Sequence, residues 1–346
     1  MLRAAVMGLA AMVVTTLGPM GTPAAASIVE SKRPDCAIEL SGEIAAGDAR
    51  QLAAIAEAAG LTRPIESGEP NNSGDMALCL DSPGGSYQEG QAMARLMHQH
   101  GIATRILADA ECYASCAFVF MAGRFLGGEM DGPRRILTVG GRLGFQAPIL
   151  TISPQASFSG VDISVVATRN MQLVADLMGF AAYKSIFDYR PMYAMSLLEQ
   201  LLRTGPDEMV LVNTVEDVGR WTIELAGHRE QHRLDDLQLI QACTNFQEWS
   251  MDRPSRTVTD VEWLLPLPRS SLSIWGETME FALVETGGME VSNCQLQASA
   301  QPVDWFAICS RDDFNGVNFG ACHDNAVHWV PWYYGLAPDT PLSDLR

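Results

Sequence analysis

Residues 76–85 read Met76-Ala77-Leu78-Cys79-Leu80-Asp81-Ser82-Pro83-Gly84-Gly85, a near-continuous apolar run closed by an acid, a proline and a glycine pair. A run this short and this apolar fits a strand buried on both faces. The paired glycines let the backbone turn sharply and leave its N–H groups uncovered by side chains. Ser86 to His100 then brings Met93, Leu96, Met97 and His100 onto one helical face, so the order is strand, tight loop, helix. Upstream, Ala37 to Gly42 alternates as a short strand does, and Ala45 to Ala59 carries Leu52, Ile55 and Ala59 at helical spacing. Downstream, Ile102 to Leu107 is a third strand, and Ser115 to Ala122 reads as a buried helix opening just after Cys112-Tyr113-Ala114. Strands alternating with helices predict an α/β fold with a parallel sheet and right-handed crossovers.

Farther along, Val161 to Arg203 has a mostly helical pattern interrupted at Gly179 and Pro191. Asp207 to Val212 fits one more strand, and Thr214-Val215-Glu216-Asp217 is the capped start of a helix running through Trp221 and Ile223. Beyond Leu225 the texture changes to prolines and turn residues, with six of the seven tryptophans and four of the eight cysteines. This places a domain boundary near Gly227, with one domain over 27–226 and a smaller disulfide-bearing accessory domain over 227–346. The aromatic cluster Trp329, Trp332, Tyr333 and Tyr334 reads as the core of that second part, with a glycan or partner surface as the alternative.

The 346 residues carry 23 Lys+Arg against 41 Asp+Glu, a formal charge of −18, and 47% are apolar. So apolar a chain, with only 18% charged residues, buries enough surface to fold. Its acidity, with Lys32 and Lys184 the only lysines, excludes a phosphate backbone as the expected partner: no nucleic acid is implied. Arg3 precedes an uncharged stretch from Ala4 to Ala26 that ends in Ala24-Ala25-Ala26, the layout of a secretory signal over 1–26 with cleavage near Ala26. A periplasmic or secreted chain is therefore expected. In an oxidising compartment the eight cysteines read as disulfides and no metal or other cofactor is called for. Cys36 with Cys79 would join neighbouring strands, and Cys112 with Cys116 is feasible across an irregular helix start. Cys243, Cys294, Cys309 and Cys322 allow three pairings, with Cys309–Cys322 weakly preferred.

The chemistry concentrates in the Gly84-Gly85 loop and in Ser115, thirty residues after Gly85. Freed loop amides can serve as an oxyanion hole, and a serine opening a buried helix sits at its positive end, where the N–H of Cys116 adds a second donor. This arrangement resembles the ClpP-like branch of the ClpP/crotonase superfamily, in particular its exported bacterial members, over Cys36 to Leu225 and most closely over Leu78 to Gly123. The resemblance implies a ClpP/crotonase-like β-α superhelix with a parallel sheet, followed here by a small Cys/Trp-rich C-terminal domain. It also implies Ser115 as nucleophile, Gly84 and Gly85 with Cys116 as the oxyanion and binding groups, a peptide or protein ligand, and a homo-oligomer.

One position departs from the family pattern. Where ClpP peptidases carry a general base in a His-Gln-Pro-like segment, this chain reads Phe145-Gln146-Ala147-Pro148. Phenylalanine accepts no proton, and a serine without a base is a poor nucleophile near pH 7. Asp207 has no histidine to orient and is assigned no triad role. Lys184 is the candidate base of a Ser-Lys dyad, with a snorkelling surface lysine as the alternative. None of the six histidines has a positional argument for the role, and His228 with His232 reads as a solvated pair. Three functions are weighed: a groove that binds peptide with little or no cleavage, an active serine endopeptidase using Ser115 with Lys184, and acyl-CoA chemistry, which an exported protein would not meet.

Overall fold

The computed structural model describes residues 25–62, 76–127, 130–147, 159–182, 191–205, 208–229, 233–259, 264–274, 277–285, 293–298, 304–311 and 328–346. The first part of the chain is a mixed α/β layer. Its elements are β1 (Ser27–Glu30), β2 (Cys36–Ser41), α1 (Asp48–Ala58), β3 (Ala77–Asp81), α2 (Tyr87–His100), β4 (Ala103–Ile106), β5 (Glu111–Tyr113) and α3 (Ser115–Met121). A hairpin of β6 (Arg124–Gly127) and β7 (Met130–Pro133) follows, then β8 (Arg135–Thr138), β9 (Arg142–Phe145) and the long helix α4 (Gly160–Ala181). Next come α5 (Met195–Arg203), β10 (Val210–Leu211), α6 (Val215–Arg220) and β11 (Glu224–Ala226).

The main sheet runs β1-β2-β3-β4-β8-β11. Every neighbouring pair is parallel except β1 with β2. Its central strand β3 is buried from Ala77 to Leu80, as the apolar run requires when helices cover both faces. Cys36 and Cys79 form a disulfide between β2 and β3 with Cα atoms 5.6 Å apart, as the sequence suggested. Helix α2 begins at Ser86, whose side chain accepts from the N–H of Glu89, and ends at Gly101 in the left-handed region. Its buried stripe is Gly90, Met93, Ala94 and Met97; Leu96 and His100 lie at the margin. All seven residues of α3 are buried, so this short helix is a core element held by its surroundings more than by its length. At the start of the described chain, Ala26 is buried and donates its N–H to the Asp48 carboxylate at 3.1 Å.

Arg135 organises the layer around α3. It is 1% exposed, and its guanidinium donates to the carbonyls of Met121, Met192, Trp221 and Thr222 at 2.7–2.9 Å. Those four carbonyls come from the end of α3, the approach to α5 and the turn after α6. That turn corrects the sequence reading, which carried the helix through Ile223: Thr222 adopts φ +56°, α6 stops at Arg220, and the chain leaves as β11, parallel to β8. Gly179 does not interrupt α4, which continues to Ala181; one glycine costs a helix only about 1 kcal/mol.

The second part contains α7 (Asp236–Ser250) and an antiparallel meander of β12 (Arg269–Ile274), β13 (Glu277–Glu285), β14 (Asn293–Gln297), β15 (Trp305–Arg311) and β16 (His328–Pro331). Cys243 on α7 and Cys294 on β14 form a disulfide, one of the pairings the sequence left open; Cys322 lies outside the described residues. Beyond Gly227 the chain returns to the first layer. The N–H groups of Val215 and Glu216 donate to the carbonyls of Thr340 and Pro338, so the C-terminal segment covers the start of α6. Trp332, Tyr333 and Tyr334 are core residues in a 3-10 turn, whereas Trp329 is 60% exposed. His228 accepts from the indole N–H of Trp332 at 3.1 Å, and His232 lies outside the described residues.

Candidate functional site

The loop after β3 and the turn before α3 meet. The N–H of Ser82 donates to the carbonyl of Glu111 at 2.6 Å, and the carbonyl of Ser82 accepts from the N–H of Tyr113 at 3.0 Å, so the loop is stitched to β5. Gly84 and Gly85 take φ +102° and +133°, where a side chain would be strained. A methyl on Gly84 would also fall 2.8 Å from the Tyr113 carbonyl, 2.9 Å from the Ala114 methyl and 3.3 Å from the Ser115 nitrogen. The glycine is needed there because the turn before α3 lies directly against it. Gly85 forms a single parallel bridge with Ile44, and the Ile44 carbonyl takes the N–H of Ser86.

The amides of the two glycines differ. Gly84 is buried and its N–H is spent on the Ser82 hydroxyl oxygen at 3.1 Å, which removes it from the donors the sequence proposed. Gly85 is exposed, and among the described residues its N–H meets no acceptor. The N–H groups of Ser115 and Cys116 at the head of α3 likewise find no acceptor there. Unpaired donors next to a glycine-rich bend form a place where a carbonyl oxygen or an anion can be held.

The turn before α3 is strained at Ala114, which has φ +48° and ψ −117°. A non-glycine residue in such a region costs of order 1–3 kcal/mol and persists only where its surroundings fix it. Three constraints fix this one. The Ala114 N–H donates to the Gly144 carbonyl on β9 at 3.0 Å, β5 pairs with β9 through Tyr113 and Gly144, and a disulfide joins Cys112 to Cys116 across the turn, Cα atoms 5.2 Å apart. The second disulfide foreseen from the sequence thus exists, and it spans the strained residue.

Ser115 follows the strained position. It is 2% exposed, and its hydroxyl is buried with no hydrogen-bond partner among the described residues. It backs onto α2, where a methyl on Gly90 would lie 3.0 Å from its Cβ and 2.9 Å from its carbonyl oxygen. Phe145 is wholly buried on β9, edge-to-face with Phe118 at 6.4 Å and with Trp221 at 6.1 Å. None of these three rings, Phe145, Phe118 and Trp221, can accept a proton from a serine. Lys184, Asp207 and His323 lie outside the described residues. His98 sits on the far half of α2 beside Arg124 at 3.1 Å; burial, with help from that cation, lowers its pKa to about 4.

Tyr87, the first residue of α2, meets Phe118 edge-to-face at 5.0 Å. Burial, and secondarily the carboxylate of Asp176 on α4, push its phenol well above the ordinary value. Sequence reasoning did not single out Ala114 or Tyr87, because the methyl of the one and the phenol of the other belong to no local motif and their importance is one of position.

No protein-family model matches this chain, and no curated protein matches it. Among solved structures it is similar to a mutant ClpP1 from Listeria monocytogenes, at 10% identity over 55% of this chain and 91% of that chain, with a TM-score of 0.34. A likeness of that size carries no argument here.

Proposed function

We propose that this is an exported ClpP-like protein whose peptidase-type groove binds an extended peptide or protein segment and does not cleave it efficiently. The observation that carries this reading is the pairing of an exposed Gly85 amide with a neighbouring serine whose hydroxyl is buried, neither having a hydrogen-bond partner among the described residues. Donors for a peptide carbonyl are on offer, while among the described residues the hydroxyl has neither access nor a base, and the buried Phe145 stands where the resemblance expects one. Three disulfides, at Cys36–Cys79, Cys112–Cys116 and Cys243–Cys294, support passage through an oxidising compartment and so support export.

Self-association belongs to the same proposal. Helix α4 exposes Val161, Ile163, Val165, Met171 and Met178 at 48–75% of their surface, more apolar area than a helix keeps in water without a partner. A second copy of this chain is the occupant expected from the resemblance.

The test is a titration of the 15N-labelled mature protein with end-blocked extended peptides, followed by mass spectrometry of the peptides after long incubation. Shifts confined to Gly85 and the head of α3, with intact peptide recovered, are expected. Cleavage that disappears in Ser115→Ala would instead establish the endopeptidase reading.

A further inference from the structure

The sequence pattern aligns a serine nucleophile with Ser115, but the backbone singles out the residue before it. We infer that Ala114, and not Ser115, occupies the nucleophile seat of this groove, so that the chain carries its hydroxyl one residue out of register. Nucleophiles at strand-to-helix elbows sit on the strained residue of the turn, which thrusts the side chain outward, and the next residue's N–H helps to form the oxyanion hole. Here the strained residue is Ala114, at φ +48° and ψ −117° between β5 and α3. Ala114 is partly exposed, whereas Ser115 is 2% exposed and turned toward Gly90 of α2.

Ala114 also touches both halves of the groove. Its methyl lies against Gly84, and its N–H is fixed by the carbonyl of Gly144, next to the position of Phe145. The shift in register changes the donors as well. The residue after the seat is Ser115, and its nitrogen is the helix-head amide that crowds Gly84, at 3.3 Å from a methyl placed there. The carbonyl-binding pair is therefore the N–H groups of Gly85 and Ser115, in place of Gly85 and Cys116. The seat presents a methyl, so a bound peptide carbonyl meets two donors and no attacking oxygen.

This inference rests on the peptide-binding reading above, and the experiment separates the two. Wild type, Ser115→Ala, Ala114→Ser and the double variant Ala114→Ser/Ser115→Ala are treated with a fluorophosphonate at pH 9, with peptide binding measured in parallel. In the expected step the oxygen introduced at position 114 attacks phosphorus and the P–O bond forms. The P–F bond breaks, fluoride leaves with the bonding electrons, and the hydroxyl proton passes to solvent hydroxide at the exposed seat. Labelling at least tenfold above wild type in Ala114→Ser, retained in the double variant and mapped to position 114, is expected. Wild-type labelling that Ser115→Ala abolishes overturns the inference, as does a folded Ala114→Ser that gains nothing.

If peptides fail to bind wild type while Ala114→Ser gains labelling, the seat stands and the binding reading falls. Should Ala114→Ser not fold, wild type and Ser115→Ala decide: equal background labelling of the two supports the inference, and wild-type labelling tenfold above that of Ser115→Ala overturns it.

Discussion

Replacing Ala114 by glycine should stabilise the protein, against the ordinary effect of that substitution. At φ +48° and ψ −117° the alanine holds strain of order 1–3 kcal/mol, which glycine does not incur. Against this, glycine loses more backbone entropy on folding, about 0.5–1 kcal/mol. The lost methyl, partly exposed against Gly84, removes a few tenths of a kcal/mol of burial at ~0.8 kcal/mol per buried carbon. The balance is a gain of about 1 kcal/mol. Urea unfolding of the oxidised protein measures it, with Ala117→Gly as the control: Ala117 is wholly buried within α3, so there glycine should cost about 1 kcal/mol or more. With m near ~3 kcal/mol/M the midpoint of Ala114→Gly should rise by about 0.3 M at unchanged m. A fall in midpoint comparable to that of Ala117→Gly would show that the turn stores no strain at Ala114, and the assignment of the elbow would go with it.

Ser115→Ala removes a buried hydroxyl that has no partner among the described residues, whose burial costs about 1–3 kcal/mol; thermal unfolding should show a stabilisation of about 1 kcal/mol, and a loss of that size would reveal a bond to the hydroxyl. Arg135→Met strips four buried carbonyls of their donor and should cost about 3–5 kcal/mol by urea unfolding, whereas Arg142→Met, at a side chain 56% exposed, should stay within ~0.5 kcal/mol; equal effects would refute the role given to Arg135. His98 is held neutral in the folded state by burial and by Arg124, with a pKa of about 4, while the unfolded chain takes up that proton near pH 6.5. Its share of stability is present above pH 6.5 and is lost as pH falls toward 4, about 1–2 kcal/mol once solvent screening is discounted; the difference between wild type and His98→Asn should follow that window and be flat above pH 7. On the proposed self-association, wild type should exceed the monomer mass in light scattering and glutamates at both Val161 and Val165, adjacent turns of α4, should return it to monomer; a variant mass equal to that of wild type would remove α4 as the interface.

The elements legible in the sequence are those whose residues are buried in one unbroken pattern. The apolar run of β3, the stripe of α2 and the apolar run of α3 after Ser115 could be read because local composition and tertiary burial agree there. The strands β8, β9 and β11 are three or four residues long, and β8 and β9 each open on an arginine, so nothing local announces them; Arg135 sits inside the core only because four carbonyls from distant segments converge on it. In the site, the meeting of the Gly84-Gly85 loop with the turn before α3 was legible from the order of elements. Which residue of Ala114-Ser115 would carry the strain was not, since that depends on the bond from Ala114 to Gly144, thirty residues away in the chain. The occupied amide of Gly84 was equally out of reach, because it depends on the rotamer of Ser82.

The site divides by the origin of its chemistry. The donors proposed to bind a carbonyl are main-chain N–H groups, set by the glycine φ angles, the stitching of the loop to β5 and the Cys112–Cys116 bridge, and almost no side-chain substitution removes them. Nucleophile and base are side-chain functions, and on the proposed reading each is lost at a single residue: a methyl at 114, a phenyl ring at 145. Binding and bond-breaking are therefore separable here to an unusual degree. Rigid amides hold a carbonyl whether or not an oxygen stands beside it, and preorganised donors need no rearrangement when the ligand arrives. It follows that a substitution changing only side chains at 114, 115 or 145 should alter reactivity far more than affinity. Opening the Cys112–Cys116 bridge, as in Cys112→Ser/Cys116→Ser, should do the reverse, weakening peptide binding by releasing the turn that aims the Ser115 N–H. A double cysteine variant that binds peptide as wild type does would show that β5 and β9 hold the turn without the covalent link.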